Sequence, residues 1–308
     1  MKRYKVFRRE ILSIILIAFL AISATCQDKS SNKSGEDIKI DKKEKKKKRK
    51  KYKLPNIDLN HWSVTTPELN DKGGAMNIEP PEILNYATDE RLIPYMYNDS
   101  TSGALVFYSY PSDATTANTK YTRSELREQM VPGDNNTNWT FAQGGVMKGK
   151  LAMEQVSRAS DGKYHKVIIM QIHGRLTNEQ RDLIGQKDNN APPILKIYWQ
   201  DGKVRVKTKV LKNISVTDEE LLHEDAWDDD NGFNFEQEVG FRTFTLEVRV
   251  SEGKMVIVLN NAEYKVYEGV SMRRWGIFEN YFKAGNYFQS RDEGSFAKVK
   301  YYELEVTH

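Results

Sequence analysis

The segment YFKAGNYFQS, residues 281–290, places four aromatic side chains, one lysine and two amides in ten positions. Successive side chains of a strand point to opposite faces, so the segment divides into two rows. One row is rich in hydrogen-bonding groups: Tyr281, Lys283, Gly285, Tyr287 and Gln289. The other row is mostly apolar: Phe282, Ala284, Asn286 and Phe288. The pattern predicts a strand with one buried face, whose other face is either a wet surface or the wall of a binding groove.

Similar short strand-like segments recur before and after this one, and no long helical period is present. They lie at residues 104–110, 121–130, 144–156, 165–176, 193–199, 203–210, 241–250, 254–260, 262–269, 273–289 and 297–308. Turn sequences such as VPGDNN, SDGK, QDGK and SEGK separate them. About a dozen strands with short turns predict an all-β protein, a two-sheet sandwich or jelly roll in one domain. The polar, acidic segments 177–193 and 216–232 are predicted to be loops with a possible helical turn that could overhang a groove.

The N-terminus is typical of an export signal. A basic start, MKRYKVFRRE, precedes the apolar run ILSIILIAFLAI at residues 11–22, which is shorter than the roughly 20 residues needed to span a bilayer. The only cysteine, Cys26, follows directly in SATC, a pattern similar to a bacterial lipoprotein processing site, although Ser23 replaces the more usual Leu or Val. We therefore expect a signal peptide at 1–26 and lipidation at Cys26. The alternative is cleavage at a small-residue site and plain secretion.

Charge is distributed very unevenly along the 308 residues. The run KKEKKKKRKK at 42–51 is strongly basic, whereas residues 52–308 sum to a formal charge of −7 within a chain of +4. Residues 27–54 have few apolar side chains to bury and are predicted to form a disordered tether, leaving 55–308 as the folded domain. In an exported chain the lysine run is expected to be a solvated spacer, so no nucleic-acid partner is expected. A single cysteine also excludes an internal disulfide or a cysteine-based zinc site.

The segment YTRSELREQM, residues 121–130, places two arginines and a carboxylate on one strand face. Arg123 and Arg127 would lie roughly 13 Å apart with Glu125 between them. That spacing suits contacts with successive anionic units of a polymer, with Glu125 orienting the guanidinium groups. The alternative is a solvated edge strand with a cross-strand ion pair.

The segment HKVIIMQIHGRL, residues 165–176, changes character midway. Residues 167–170 are fully apolar, after which Gln171, His173 and Arg175 appear on one face while Ile172 stays on the other. Polar groups buried without partners cost on the order of 1–3 kcal/mol each, so these three need partners or a ligand. A structural histidine and a functional one were both compatible with this pattern.

Three motifs in this order resemble a known family. RSELR (123–127), QIH (171–173) and YFKAGNYFQ (281–289) are similar to the three signature regions of alginate lyases of polysaccharide lyase family 7, and YYELEVTH at the C-terminus resembles the last strand of that family. The resemblance covers residues 55–308. It implies a β-jelly roll whose concave sheet forms the substrate groove, and it implies cleavage of alginate by β-elimination at 4-linked uronates.

The same resemblance assigns roles to individual residues. Arg123 and Gln171 would neutralise the uronate carboxylate, His173 would be the general base and Tyr287 the general acid. The expected substrate-binding residues are Arg127, Glu125, Lys283, Gln289, Tyr281 and Arg175. Ile172, between the glutamine and the histidine, resembles the variant associated with accepting guluronate. No cofactor and no metal is expected, because Asp, Glu and His do not cluster at ligand spacing and the run HEDAWDDD (223–230) is typical of a solvated loop.

Two other functions remain open from the residues alone. One is a lyase acting on another polyuronate, such as glucuronan. The other is a non-catalytic carbohydrate-binding jelly roll, which would lack either the base or the acid. We expect a monomer, exported and anchored by lipid to a bacterial outer membrane or otherwise secreted. The preference between guluronate and mannuronate, and between internal and end-wise cleavage, is not predicted.

Overall fold

Alternation of apolar and polar side chains builds two β-sheets in the computed structural model, which describes residues 53–116 and 119–308. The predicted signal peptide, Cys26 and the lysine run lie outside the described residues. The strands are β1 (Asn56–Ile57), β2 (Trp62–Leu69), β3 (Ala75–Ile78), β4 (Met96–Asp99), β5 (Ala104–Ser109), β6 (Arg123–Glu128), β7 (Trp139–Thr140), β8 (Gly145–Val156), β9 (Val167–Arg175), β10 (Asn190–Gln200), β11 (Lys203–Leu211), β12 (Trp227–Asp229), β13 (Phe233–Glu238), β14 (Phe244–Ser251), β15 (Lys254–Leu259), β16 (Glu263–Glu268), β17 (Glu279–Phe288) and β18 (Ala297–Thr307). The helices are α1 (Asn178–Leu183), α2 (Asp218–Leu221) and α3 (Val270–Arg274), with 3-10 turns at Glu82–Asn85, Glu224–Ala226 and Trp275–Ile277.

The two sheets are antiparallel except where β1 runs parallel to β18. The first sheet has the order β16-β15-β14-β8-β18-β5-β4, with β1 beside β18. The second has the order β12-β11-β10-β9-β17-β6-β2-β3, with β13 against β11 and β7 against β17. The prediction of an all-β, two-sheet sandwich is therefore confirmed. No helix among the described residues is long and apolar enough to cross a membrane.

The opening segment forms β17, near the middle of the second sheet, and its two faces separate as predicted. Phe282, Ala284, Asn286 and Phe288 are all fully buried in the core between the sheets. The one polar member of this row, Asn286, donates from Nδ2 to the backbone carbonyls of Phe107 (3.0 Å) and Ala297 (2.7 Å), which belong to the opposite sheet. These bonds satisfy the buried amide hydrogens and hold the groove-forming sheet against its partner.

The prediction of a strand beginning at residue 273 is wrong. Residues 270–274 form α3 and a 3-10 turn follows, so that β17 begins only at Glu279. Met272, Trp275 and Phe278 are buried and recur every third residue, which is a helical rather than a strand period. The segment 273–278 is therefore a helical connection that leads into the strand.

Strand β2 was missed because its sequence contains a proline. Pro67 lies within Trp62–Leu69 and reduces the strand signal, since proline cannot donate a ladder hydrogen bond. The strand nevertheless pairs with β6 between Trp62 and Thr65, ahead of the proline. It extends the second sheet beyond β6.

The two polar segments contain the helical turns that were expected of them. Thr177 accepts from the Gln180 backbone and Gln180 from that of Thr177 at the start of α1. Thr217 and Glu220 form the same reciprocal cap at α2. Such capping boxes satisfy free amide groups at a helix start and stabilise even short helices.

An ion pair joins the buried Glu128, at the end of β6, to the partly exposed side chain of His308. Glu128 accepts from the Trp139 indole (2.9 Å) and the Phe282 amide (2.8 Å) with Oε2, while Oε1 lies 2.6 Å from Nε2 of His308. The other nitrogen of His308 lies 3.0 Å from the carbonyl of Gly144. Both neighbours of the imidazole are acceptors, so the protonated ring can donate to both. Burial opposes this charge, but the hydrogen bonds outweigh it and raise the pKa of His308.

We expect His308→Gln to lower the free energy of unfolding at about pH 6 by roughly 1.5–3 kcal/mol, the range for hydrogen bonds to charged groups. Because the pKa is raised in the folded state, the stabilisation is fully present below the ordinary histidine pKa and is lost as pH rises through the raised value. Urea unfolding across this interval should therefore show a smaller difference between variant and wild type at higher pH. The exposed His223, changed to Gln, is the control; an equal effect there would contradict the assignment.

Candidate active site

The three motif strands are neighbours in the second sheet, in the order β9-β17-β6. Across β9 and β17, His173 pairs with Tyr281 and Gln171 pairs with Lys283. On the other side of β17, Tyr287 pairs with Arg123. Their polar side chains line a groove of about 830 Å³ on the outer face of the sheet. Segments far apart in the sequence are thereby brought into one site.

All the predicted site residues of the folded domain line the groove except one, Glu125, which lies beneath its floor. The lining includes Arg123, Arg127, Gln171, His173, Arg175, Tyr281, Lys283, Tyr287 and Gln289. The polar loops that were expected to overhang the groove also border it, through Asp188, Asn189 and Glu224. The polar row of the 281–290 segment therefore forms part of the groove wall.

Glu125 is the fully buried centre of the site. Its Oε2 lies 2.5 Å from Nζ of Lys283 and 3.2 Å from Nη1 of Arg123. Its Oε1 accepts from Nε2 of Gln171 at 2.6 Å. One carboxylate therefore orients three side chains, from β6, β9 and β17, toward the groove. Removing Glu125 would leave two positive charges in the protein interior without their common counter-ion.

Gly285 makes the close approach of β17 and β6 above Glu125 possible. Its φ is +141°, and a Cβ there would lie 2.7 Å from the carbonyl oxygen of Ser124 and 2.9 Å from Cα of Glu125. Only glycine avoids both the strain and the collision. The glycine between Lys283 and Tyr287 thus serves the geometry of the site.

Arg123 lines the groove and has one unused donor. Its side chain is buried, its Cζ lies 3.8 Å from the centre of the Tyr287 ring, and Nη1 faces Glu125. The remaining nitrogen, Nη2, is buried and has no hydrogen-bond partner among the described residues. Because buried polar groups are rarely left unpaired, this nitrogen is suited to an anion that enters the groove.

His173 is held as a neutral imidazole with a defined tautomer. Its Nδ1 lies 3.0 Å from the carbonyl oxygen of Gly174, which can only accept, so Nδ1 carries the hydrogen and Nε2 keeps a lone pair. Burial, reinforced by the positive charges of Lys283 and Arg123, lowers the pKa of His173 to about 3. The ring stacks on Tyr281 at 5.3 Å between centroids and 12° between planes. Nε2 is therefore free to accept a proton at neutral pH.

Tyr287 and Tyr281 both keep their phenolic hydrogens at neutral pH. Burial raises the pKa of each, although the nearby arginines act in the opposite direction. Tyr287 packs edge-on against Tyr121, with ring centres 6.5 Å apart. A phenol in this state can donate a proton but is a poor base in the free protein.

Two of the predicted substrate-binding arginines are held mainly by protein groups. Arg127 donates to the carbonyl oxygens of Glu128 (2.7 Å) and Asn135 (3.0 Å) and stacks on Tyr281. Arg175 pairs with Glu279 at 2.6 Å and also donates to the Leu176 carbonyl and the Asn136 amide. Both therefore fix loops at the groove rim, and their contact with substrate stays a prediction. Gln289 donates to the Tyr287 carbonyl at 3.2 Å.

Sequence reasoning missed two groove residues on β10. Lys196 and Tyr198 line the groove, and Lys196 pairs with Gln171 across β9 and β10. The available signal was their separation by two residues in PILKIYW, which places both on one strand face. The segment is predicted as a strand at 193–199, but the prediction includes no site residue in it.

The other histidines are remote from this constellation. His61 contacts the Gln129 carbonyl at 3.0 Å, and His165 is buried against Phe288 and near Asp292. Within residues 53–116 and 119–308, no group of three or more His, Cys, Asp or Glu is arranged to hold a metal ion.

Fold and site together define a two-sheet β-sandwich with an open, polar groove across one sheet. A family model described as alginate lyase matches residues 57–308. The chain therefore belongs to the alginate lyase family, and the protein is a polysaccharide lyase. The family membership predicted from the three motifs is confirmed.

Several known proteins are similar over most of the chain. An alginate lyase of Klebsiella pneumoniae is 24% identical over 296 residues, which cover 82% of this chain and 89% of the relative. Alginate lyase A1-II' of polysaccharide lyase family 7 is 29% identical in a complex with its product GGG, with a TM-score of 0.65 and coverage of 82% of this chain and 97% of that one. An alginate lyase of Pseudomonas aeruginosa, 21% identical with a TM-score of 0.60, covers 82% of this chain and all of its own and supports the fold alone. The jelly-roll prediction is thereby confirmed.

Proposed function

We propose that this protein cleaves alginate by β-elimination at 4-linked uronates, leaving an unsaturated sugar at the new non-reducing end and accepting guluronate. The observation that carries the proposal is the unpartnered, buried Nη2 of Arg123 beside the Tyr287 ring, in the groove that the neutral His173 also lines. An anion receptor, a base and an acid are the three functions that elimination next to a carboxylate requires. Further support comes from A1-II', whose substrate complex holds GGMG at 28% identity.

Neutralising the uronate carboxylate is the first requirement, because its negative charge disfavours removal of the neighbouring C5 proton. Nη2 of Arg123 and the second amide hydrogen of Gln171 can donate to this carboxylate. Glu125 holds both donors in place before substrate arrives. Prepositioned donors stabilise charge that builds up on the carboxylate oxygens in the transition state.

Proton transfer and cleavage of the C4–O bond then follow. Nε2 of His173 takes the C5 proton, and the C5–H electron pair becomes the C4=C5 double bond. The C4–O bond breaks, and the departing glycosidic oxygen takes the proton of the Tyr287 hydroxyl. The tautomer fixed by the Gly174 carbonyl directs the basic nitrogen of His173 away from the backbone.

Substrate choice is tested by initial rates on guluronate-rich alginate, mannuronate-rich alginate and glucuronan. We expect product with conjugated alkene absorbance from alginate, a measurable rate on guluronate blocks, and little from glucuronan. Faster cleavage of glucuronan than of either alginate would favour the alternative polyuronate. Binding without cleavage of any of them would favour the non-catalytic carbohydrate-binding jelly roll.

The alkaline limit of activity is expected to arise from Lys283. Burial and the charge of Arg123 lower the pKa of Lys283 to about 8, although Glu125 acts in the opposite direction. Loss of the ammonium charge would weaken substrate binding, so kcat/KM should fall as pH rises through about 8. Arginine keeps its charge at higher pH, so Lys283→Arg should shift the fall in kcat/KM to higher pH. If the fall in kcat/KM occurred at the same pH in a folded Lys283→Arg protein, this assignment would be contradicted.

We also propose that the chain is exported and that Cys26 is the site of a lipid anchor. The support is the basic and apolar N-terminal sequence followed directly by this cysteine. Cys26→Ala is expected to move the protein from the membrane fraction to the soluble exported fraction. Recovery of both wild type and variant in the soluble exported fraction would support plain secretion.

A further inference from the structure

A second group of positive charges lies beyond β9, on the side away from β17, and one member of this group, Lys196, lines the groove. Three ammonium groups converge on the carboxylate of Asp229: Lys196 at 3.7 Å, Lys207 at 3.9 Å and Lys209 at 3.0 Å. Lys196 lies on β10, and the other two lysines lie on β11. We refer to Lys196, Lys207 and Lys209 as the lysine cluster.

The lysine cluster has more positive than negative charge, because three ammonium groups share one carboxylate. Among the described residues, Asp229 is the only carboxylate within ion-pair distance of these three ammonium groups. Lys196 and Lys207 are directly opposite each other across β10 and β11, an arrangement that is destabilising for like charges. Burial lowers the pKa of Lys196, and this effect prevails over the attraction of Asp229. A second anion would relieve the excess of positive charge.

The lysine cluster also makes the two ends of the groove differ in charge. At the opposite end, on β2 and β3, the lining side chains are uncharged: Ser63, Thr65, Ala75 and Asn77. The catalytic residues lie between these two ends, and β11 is two strand spacings, or roughly 10 Å, from β9. An anionic polymer that crosses the strands therefore meets uncharged side chains at one end and the lysine cluster at the other, where Glu224 also borders the groove.

We propose that the lysine cluster is a second carboxylate-binding station, which holds a uronate unit of the same chain remote from the bond being cleaved. This inference rests on the proposed function for the identity of the polymer. Lys196 lines the groove next to Gln171, with which it pairs across β9 and β10. Lys207, which is partly exposed, and Lys209, which is buried, extend the positive charge past the groove lining. Long substrates would therefore gain affinity that short ones cannot.

The test is the double variant Lys207→Gln and Lys209→Gln, which leaves Lys196 and the catalytic residues unchanged. We expect KM for polymeric alginate to rise on the order of tenfold, the effect of losing charged hydrogen bonds. The value of kcat should stay the same, as should KM for short oligosaccharides that span only the catalytic residues. The dependence of KM on salt concentration should also become weaker.

Lys203→Gln is the control for each of the single variants Lys207→Gln and Lys209→Gln, because it also removes one positive charge, from the exposed start of β11. An unchanged KM for the polymer, an equal rise for short and long substrates, or the same rise in the control would overturn the proposal. Retardation in native gels containing alginate or glucuronan provides a readout that does not require cleavage. A wild type that is retarded but inactive would refute the proposed function, and loss of retardation in the double variant alone would still support the lysine cluster as a binding station.

Discussion

Replacing Tyr287 with phenylalanine is expected to lower kcat on alginate by about 10²–10⁴-fold, the usual contribution of a general acid or base. The variant removes one hydroxyl and keeps the ring that packs on Arg123 and Tyr121. Because burial raises the pKa of Tyr287, the phenol is protonated at neutral pH and can supply the proton for the leaving oxygen. KM should change little, since the anion receptor is intact.

Tyr121→Phe is the control for this experiment, because it removes a hydroxyl from the same groove while preserving the aromatic contact with Tyr287. Its effect on kcat should be under about tenfold, well below the range for a general acid. Circular dichroism and urea unfolding would establish that both variants are folded. Near wild-type turnover by a folded Tyr287→Phe protein would rule out the proposed acid.

Replacing Glu125 with alanine is expected to abolish activity and to lower the free energy of unfolding by about 3–5 kcal/mol. The substitution leaves Arg123 and Lys283 buried without their common counter-ion and removes the acceptor of the Gln171 amide. Such a loss is a large fraction of the total stability of a domain, which is about 5–15 kcal/mol. Denaturant unfolding gives the stability, and alkene formation gives the activity.

Glu125→Gln separates the two effects because it preserves the shape of the side chain and one acceptor oxygen. We expect this variant to be more stable than Glu125→Ala but still strongly impaired in kcat, since a neutral amide holds the charged donors less well. If Glu125→Ala were both as stable and as active as wild type, the buried centre of the site would have no role. If only stability were lost, Glu125 would be structural.

The location of the site was predictable from sequence because strand periodicity places alternate residues on one face. Arg123, Gln171 and Tyr287 were each assigned to a polar face, and the structure brings all three faces together. The sequence did not predict how deeply Glu125 is buried. Glu125 was expected to orient arginines, yet it also contacts Lys283 and Gln171 from beneath the groove floor. Such contacts depend on strand order, which a single sequence does not contain.

The missed features have separate physical causes. Pro67 concealed β2, and the three-residue recurrence of Met272, Trp275 and Phe278 was overlooked within an aromatic segment. Arg127 and Arg175 are held by loop carbonyls and amides, and loop positions cannot be inferred from strand alternation. The lysine cluster forms only because β10, β11 and β12 are adjacent.

The most direct test of the account is the mass of the oligosaccharides that the wild-type protein releases from alginate. β-Elimination adds no water, so each new non-reducing end should be one water lighter than a hydrolysis product and should contain the C4=C5 double bond. His173→Ala, measured in parallel, should yield no such product. Saturated ends with the mass of hydrolysis products, or unsaturated ends formed at the wild-type rate by His173→Ala, would contradict the account.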